Sequence, residues 1–176
     1  MDYQHQPVLL EEVLAVLQPK KGQRFIDATL GGAGYTTALA KAVGDNGLVV
    51  SFDLDPMAIS AAQETLAQAG LKNVLLINDN FANLSEALID NQISGQFDGI
   101  VMDLGLSSAQ IADEERGFSF NQAGPLDMAF GPNSPTSTME IVNHWTESDL
   151  ARIIKNYGEE PWFGPIAKAI VRQRRR

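Results

Sequence analysis

The sequence contains no cysteine and only two histidines, His5 and His144. Without cysteine, disulfide bonds and thiolate metal sites are excluded. The two histidines are too far apart in sequence to suggest a metal cluster, so we expect no metal site. A reducing cytoplasm is the location that a chain of this composition favours.

The chain also lacks an apolar run long enough to cross a bilayer. Its first residues, MDYQHQPVLLEEV, lack the basic segment and apolar core of a secretory signal, and we therefore expect no membrane partner. Acidic residues outnumber basic residues by 22 to 13, which argues against a generic binder of nucleic-acid phosphates. The cationic segment RQRRR at 172–176 is compatible with a solvated helix end and with a nucleic-acid contact.

The hydrophobic pattern predicts an α/β fold. Buried-strand patterns at 24–30, 48–52, 74–77 and 97–102 alternate with helical patterns at 8–17, 35–43, 56–69 and 81–88. This alternation is typical of a doubly wound, mainly parallel sheet with helices on both faces. Residues 112–138 predict a long ordered loop, and the patterns at 139–155 and 165–176 are helical again. No pattern after residue 110 predicts a fifth strand, so the sheet is either small or part of a longer protein.

An acidic residue lies near the end of each predicted strand: Asp27, Asp53, Asp79 and Asp103. Because ligands of open α/β sheets bind beyond the carboxyl ends of the strands, this arrangement predicts a binding site. A glycine-rich turn, GGAG at 31–34, follows the first strand and lets a ligand approach the backbone. The Gly-x-Gly-x-x-Gly pattern of dinucleotide sites is absent from it.

The spacing of the acids indicates the kind of ligand. Asp53 lies about 20 residues beyond the glycine turn, the distance at which an acid binds ribose hydroxyls, which indicates a nucleoside. Asp27 would repel a pyrophosphate and would suit an ammonium group. S-adenosylmethionine, a nucleoside that carries an amino acid and a positive centre, fits both acids.

Each of these features also has a purely structural interpretation. The glycines suit any tight turn, Asp79 and Asn80 suit a helix cap, and Asp103 suits the turn after a strand. A capping role for Asp53 is less suitable, because Asp55 immediately precedes Pro56 and fits the start of the next helix better.

Several long motifs carry a resemblance to a known family. They are HQPVLLEEVL at 5–14, DATLGGAGYT at 27–36, FDLDPMAI at 52–59, NF at 80–81, DLGLSSAQI at 103–111, ERGFSF at 115–120, GPLDM at 124–128 and YGEE at 157–160. In this order and over nearly the whole chain, they resemble the ribosomal RNA small-subunit methyltransferase H (MraW) family.

The resemblance implies a Rossmann-like fold of the class I S-adenosylmethionine-dependent methyltransferase type. It implies that the cofactor is S-adenosylmethionine, that the partner is 16S rRNA of the small ribosomal subunit, and that the reaction methylates N4 of a cytidine in the decoding region. Members of the family are longer than this chain, so we expect the sheet to be incomplete on its C-terminal side.

The resemblance also implies roles for individual residues. The cofactor contacts are Ala33, Gly34 and Tyr35 at the methionine part, Asp53 at the ribose, Phe81 at the adenine, and Asp103 and Gln110. Asp103 is in addition our candidate catalytic residue, which would orient the acceptor amine. Arg116, Phe118, Phe120 and Asp127 resemble the segment beside the acceptor pocket, although local packing of the two aromatics is an equally open interpretation.

The chain departs from the family at three of these positions. Tyr35 stands in place of a histidine, Ala33 in place of a glycine and Ala129 in place of an arginine. The resemblance further divides the chain into a cofactor-binding core at 1–110, an ordered loop at 111–138, and a helical segment at 139–176 that resembles the start of an inserted substrate-recognition domain.

Two other functions stay open at this point. The chain could bind the cofactor or the ribosome without turnover, because it is short for the family. A nucleotide-dependent oxidoreductase could use the same sheet, although the glycine pattern and the position of Asp27 disfavour it.

Overall fold

The computed structural model of the protein describes residues 7, 9–121, 123–131 and 136–174. The chain divides into two compact units, Met1–Ser108 and Ala109–Arg176, which have separate hydrophobic clusters. Within the described residues, no helix combines the length and the hydrophobicity needed to cross a bilayer.

The first unit is an α/β sandwich. Its elements are α1 (Leu10–Leu17), β1 (Arg24–Asp27), α2 (Gly34–Val43), β2 (Leu48–Phe52), α3 (Pro56–Gln68), β3 (Val74–Ile77), a 3-10 turn (Phe81–Asn83), α4 (Leu84–Asp90) and β4 (Gly99–Val101). The strands are all parallel and lie in the order β3-β2-β1-β4, which confirms the predicted parallel α/β fold. Asp27 pairs with Ser51 on one side and with Val101 on the other, so the carboxyl ends of three strands meet at one edge.

Helices cover both faces of the sheet because the strands are apolar on both. Phe25 and Val49 on one face form a cluster with α2, against which the apolar side of α1 packs. Ile26 and Val50 on the opposite face form a second cluster, against which α4 packs through Leu84, Ala87 and Leu88. The near-continuous hydrophobicity of the strands therefore reflects double-sided burial.

Two strands are shorter than predicted. β1 ends at Asp27, where the carboxylate accepts a hydrogen bond from the Thr29 N–H group at 3.2 Å and begins the turn. β4 begins only at Gly99, because the Asp98 carboxylate accepts the Arg24 N–H bond at 2.8 Å, a bond that a strand partner would otherwise take. In both places a side chain replaces a backbone group of the ladder.

The second unit is helical. Its elements are α5 (Ser108–Ala112), a 3-10 turn (Glu114–Arg116), α6 (Thr138–His144), α7 (Glu147–Asn156) and α8 (Phe163–Gln173). Leu150, Ala167 and Val171 form its buried cluster. The guanidinium group of Arg174 donates hydrogen bonds to the carbonyl oxygens of Val142 and Trp145, which lie at the end of α6.

The helical segment predicted at 139–155 consists of two helices. The backbone is extended at Trp145 and Thr146, and α7 begins afresh. The Thr146 hydroxyl accepts a hydrogen bond from the Asp149 N–H group at 3.1 Å, so it caps the new helix. The capping bond offsets the helical bonds that are lost at the break.

We expect copies of the chain to associate through the edge of β4. Among the described residues, β4 pairs with β1 alone, and Ile100 on it is 48% exposed. Uncovered apolar strand edges pair with other chains. We expect Ile100→Lys to lower the self-association of the 176-residue chain in sedimentation velocity experiments. Ile89→Lys, at a 74% exposed position on α4, is the control and should leave self-association unchanged.

A decrease of equal size in the two lysine variants would attribute self-association to general surface hydrophobicity. A wild-type chain that is monomeric at all concentrations would contradict the prediction outright.

Candidate functional site

The site lies where the strand order reverses. From β1, the chain builds the sheet towards β2 and β3 and then returns to place β4 on the other side of β1. The loops that follow β1 and β4 therefore diverge, and a crevice opens beyond the carboxyl ends of the strands. The predicted acids at 27, 53 and 103 all lie at this edge.

The glycine turn connects β1 to α2. Gly31 has φ +48°, and Ala33, which precedes the helix, has φ +61°, so the turn passes twice through left-handed backbone. Ala33 has no polar side chain with which to cap α2. Because α2 begins just after β1 ends, the start of this ten-residue helix lies at the same edge of the sheet. The N–H groups at a helix start favour negatively charged groups.

Gly34 is glycine for a reason that the sequence does not reveal. A Cβ atom at this position would overlap the ring of Pro7, whereas a Cβ atom at Gly31 would meet only the Thr29 carbonyl oxygen, at 3.9 Å. Pro7 of the N-terminal segment therefore approaches the turn at Gly34, whereas the space beside Gly31 is more open.

Asp53 is held in a fixed orientation. Its Oδ2 atom accepts a hydrogen bond from the Gly31 N–H group and its Oδ1 atom accepts one from the Asp55 N–H group, each at 2.9 Å. These two bonds orient the carboxylate, and each of its oxygens can accept more than one hydrogen bond. The side chain is half-buried, which leaves one side of it accessible. A carboxylate in this orientation is a suitable acceptor for hydroxyl groups.

Asp55 has the capping role that the sequence predicts. Its side chain accepts a hydrogen bond from the Met57 N–H group at 2.9 Å, and Pro56 occupies the first position of α3. Because Asp55 caps the helix, Asp53 is not needed there. The distinction between the two acids is confirmed by their contacts.

Asp27 does not face a ligand, and the expectation that it suits an ammonium group is wrong. The side chain is fully buried. It accepts hydrogen bonds from the Thr29 N–H group at 3.2 Å, from the Thr36 hydroxyl at 2.7 Å, and from the Thr36 N–H group. The Thr36 hydroxyl also lies 2.7 Å from the Ser51 hydroxyl.

Burial sets the protonation of Asp27. Desolvation raises its pKa from 3.8 to about 6, and the hydrogen bonds from Thr36 and Thr29 oppose this rise in part. Sequence reasoning missed this buried network of Asp27, Thr36 and Ser51. Its signal is Ser51, a lone polar residue in the apolar strand LVVSF.

Tyr35 lies in the hydrophobic core rather than on the surface of the turn. Its side chain is buried in the cluster that contains Phe25 and Leu39. Burial raises the pKa of the phenol, and the nearby carboxylate of Asp103 raises it further. The tyrosine therefore stays protonated and lies within electrostatic reach of the β4 acid.

The segment after β3 combines a cap with an exposed aromatic ring. The Asn80 side chain accepts a hydrogen bond from the Ala82 N–H group at 2.9 Å, which confirms its capping role. Asp79 accepts a bond from the Asn83 amide at 3.0 Å. Phe81 follows directly and is 38% exposed, so its ring can contact a planar ligand.

Asp103 extends from the end of β4. Its N–H group donates to the Thr29 hydroxyl at 2.7 Å, which ties the loop after β4 to the loop after β1. The side chain is exposed at the edge of the sheet. A carboxylate there can orient a donor group of an incoming molecule.

The remaining predicted residues belong to the second unit. Gln110 lies on α5 and is half-buried. Arg116 forms an ion pair with Asp113 at 3.4 Å, and the Phe118 ring packs against Phe130 with 5.4 Å between centroids. The interpretation of Phe118 as a residue of local packing is therefore confirmed. Phe120 differs from it, because its side chain is 97% exposed.

Asp127 contributes a backbone hydrogen bond to the second unit. Its carbonyl oxygen accepts a bond from the Thr138 N–H group at 3.2 Å, at the start of α6. No cluster of three or more histidine, aspartate or glutamate side chains suited to a metal ion occurs within the described ranges.

The sequence has clear relatives. A ribosomal RNA small subunit methyltransferase H of Geotalea daltonii is 43% identical over 98% of this chain and 55% of its own length. The enzyme of the same name from Thermomicrobium roseum is 44% identical over 98% of this chain and 52% of its own. The chain therefore spans about half the length of these curated relatives.

Among solved structures, a SAM dependent methyltransferase from Aquifex aeolicus is 31% identical, with a TM-score of 0.37, over 40% of this chain and 38% of its own. The family match is far more extensive, because it covers residues 2–176. The chain belongs to the MraW methylase family.

Proposed function

We propose that the chain is the N-terminal part of an S-adenosylmethionine-dependent methyltransferase that methylates N4 of a cytidine in 16S rRNA. The observation that carries the proposal is Asp53, whose two oxygens are fixed by the Gly31 and Asp55 N–H groups beside the glycine turn. Membership of the MraW methylase family and the similarity to ribosomal RNA small subunit methyltransferases H support it. The resemblance of the motifs supplies the nucleotide and the atom.

The residues at the edge of the sheet fit such a cofactor. Asp53 would accept hydrogen bonds from the ribose hydroxyls, and Phe81 would contact the adenine ring. The turn at Ala33 and Gly34 and the start of α2 would hold the methionine part, whose carboxylate suits a helix start. Tyr35, which is buried, would act through the position of α2 rather than through its ring. Gln110 stays a proposed contact on the family resemblance alone.

The bound cofactor would supply an electrophilic methyl group. A cytosine amine is a poor nucleophile because its lone pair is delocalised into the ring, so alignment and loss of a proton decide the rate. Asp103 would accept a hydrogen bond from the N4 amine and orient it. As the N–CH3 bond formed, the bond between the methyl group and the cofactor sulfur would break and leave S-adenosylhomocysteine, and the amine would lose one proton to solvent or to a carboxylate. The anchored backbone of Asp103 fits this positioning role.

The division of the chain follows from the same proposal. Residues 1–110 would bind the cofactor, 111–138 would form an ordered segment on the acceptor side, and 139–176 would begin a substrate-recognition domain. The small ribosomal subunit would be the partner, and the cytoplasm would be the site of action.

Isothermal titration calorimetry tests the cofactor. We expect the chain to bind S-adenosylmethionine and S-adenosylhomocysteine and to show no heat of binding with NAD, because the turn lacks the pattern of dinucleotide sites. Binding of NAD alone would favour the oxidoreductase instead. The absence of binding to either sulfur nucleoside would overturn the proposal.

Turnover requires its own measurement, because the chain spans about half the length of its relatives. Transfer of a labelled methyl group to small ribosomal subunits would support an active enzyme. Cofactor binding without transfer would favour a binding fragment, which is the second candidate for a chain of this length.

A further inference from the structure

Phe120 is the most exposed large hydrophobic residue in the described part of the chain. Its side chain is 97% exposed, compared with 86% for Tyr157 and 82% for Val16. A phenylalanine ring so fully surrounded by water contributes little to the packing of its own unit. The ring is therefore available for contact with another molecule.

The neighbouring aromatic residues carry the packing of this segment without Phe120. The rings of Phe118 and Phe130 lie 5.4 Å apart and are tilted by 58°, the geometry of a stabilising aromatic pair. Both residues are more buried than Phe120. Two residues of the motif ERGFSF thus have different roles, one internal and one directed outwards.

The described residues on either side of Phe120 are held together by close backbone contacts. The Met128 N–H group donates to the Arg116 carbonyl oxygen at 2.9 Å and joins the two ends of the loop. A Cβ atom on Gly117 would overlap the Pro125 carbonyl oxygen, and one on Gly124 would overlap the Glu114 carbonyl oxygen, so the two sides of the loop touch. Because these contacts already join the described residues on either side of Phe120, a ligand of Phe120 would not have to bring them together.

The charges of the loop decide which part of a nucleic acid could bind there. Asp113, Glu114, Glu115 and Asp127 are acidic, and Arg116 is largely buried in its ion pair with Asp113. The loop is therefore unsuited to phosphates. An uncharged ring that stacks on the face of a base needs no phosphate contact, and such stacking tolerates any base.

We propose that Phe120 is a stacking platform for an unpaired base of the RNA substrate. This inference rests on the proposed function, since it specifies how a single-stranded part of the RNA is held. Other cations of the same unit, such as the exposed Lys168 and Arg172 on α8, would supply the attraction to the phosphates.

Fluorescence anisotropy with a labelled, mixed-sequence single-stranded RNA of about ten nucleotides tests the proposal. We expect Phe120→Ala to raise the Kd about five- to a hundredfold, and Phe120→Trp to keep the wild-type Kd. Phe120→Leu should lose nearly as much RNA affinity as Phe120→Ala, because leucine keeps the hydrophobicity of the side chain but not the planar ring. A protein-docking residue would instead retain most of its affinity as leucine.

Two controls separate stacking from other effects. Tyr157→Ala removes a ring of similar exposure from the end of α7 and should leave the Kd unchanged. The factor by which Phe120→Ala raises the Kd for RNA should be the same at low and moderate salt. The factor by which Arg172→Ala raises it should shrink as the salt concentration rises.

Calorimetry with S-adenosylhomocysteine distinguishes this inference from the proposed function. Normal binding of that ligand by wild type and by Phe120→Ala, together with weakened RNA binding in the variant, supports the inference. Three results would overturn the inference and leave the cofactor site intact, provided that S-adenosylhomocysteine binds normally. RNA affinity could be unchanged in Phe120→Ala, it could be reduced equally in Tyr157→Ala, or wild type could fail to bind RNA.

Discussion

Replacement of Asp53 by alanine is expected to raise the Kd for S-adenosylmethionine by at least about a hundredfold. The carboxylate would accept hydrogen bonds from both ribose hydroxyls, and bonds to a charged acceptor contribute about 1.5 to 3 kcal/mol each. Alanine removes both acceptors and also releases the Gly31 N–H group, which Asp53 holds at 2.9 Å. The loss therefore affects the ligand contact and the position of the glycine turn together.

Asp53→Asn separates these two contributions. The amide keeps one acceptor oxygen, but its NH2 group would face the N–H group of either Gly31 or Asp55, which now donate to the two carboxylate oxygens. We expect an affinity between those of wild type and the alanine variant. Calorimetry measures all three proteins with the same cofactor.

A matched control addresses charge and folding. Asp45→Ala also removes one negative charge, from the exposed turn between α2 and β2, and should leave the affinity unchanged. The thermal unfolding of Asp53→Ala should show a loss of only about 1 kcal/mol, because water can replace a bond at a half-buried position. Unchanged cofactor affinity in a folded Asp53→Ala protein would exclude the ribose role.

The arrangement of strands and helices was predictable because it depends on local patterns. Apolar runs separated by helical spacing reveal four buried strands, and the pair Asp55 and Pro56 reveals the start of α3. The ends of strands depend instead on distant side chains. Asp98 meets the backbone of Arg24 across 74 positions of the sequence, and no local pattern reports such a contact.

The candidate site shows the same division. The sequence predicts that acids gather at one edge of the sheet, because the ends of parallel strands meet there. It does not predict which acid faces outwards. Asp27 and Asp53 both follow apolar runs, but Asp27 lies beneath the first turn of α2 and is fully buried, whereas Asp53 is half-exposed. Burial of this kind depends on how a helix packs, which residue spacing alone does not determine.

The network of Asp27, Thr36 and Ser51 predicts a dependence of stability on pH. The folded-state pKa of Asp27 is about 6, above the ordinary value of 3.8. A raised pKa means that the folded state binds the proton more tightly than the unfolded state does. The stabilisation from this group is therefore fully present below pH 3.8 and is lost as the pH rises through about 6, a loss of about 3 kcal/mol.

Asp27→Asn removes this titration and keeps the size of the side chain, but its NH2 group would face a donor that now binds the carboxylate. This cost is the same at every pH, so it does not alter the pH dependence. Between about pH 4 and pH 8, we expect the free energy of unfolding of the variant to rise by about 3 kcal/mol relative to that of wild type. Urea unfolding at several pH values measures this difference. Asp45→Asn, which removes an exposed carboxyl, reports the contribution of net charge alone. A relative free energy that stays constant across this range would refute the prediction.

Thr36→Val tests whether the network acts as a unit. Valine has nearly the same shape, but it removes the hydroxyl that lies 2.7 Å from both Asp27 and Ser51. We expect it to lower the free energy of unfolding by about 2 to 3 kcal/mol at neutral pH, because a buried carboxylate loses a donor. In the Asp27→Asn background the cost should be smaller, since the acceptor is then uncharged. Additive effects of the two substitutions would show instead that the residues contribute independently.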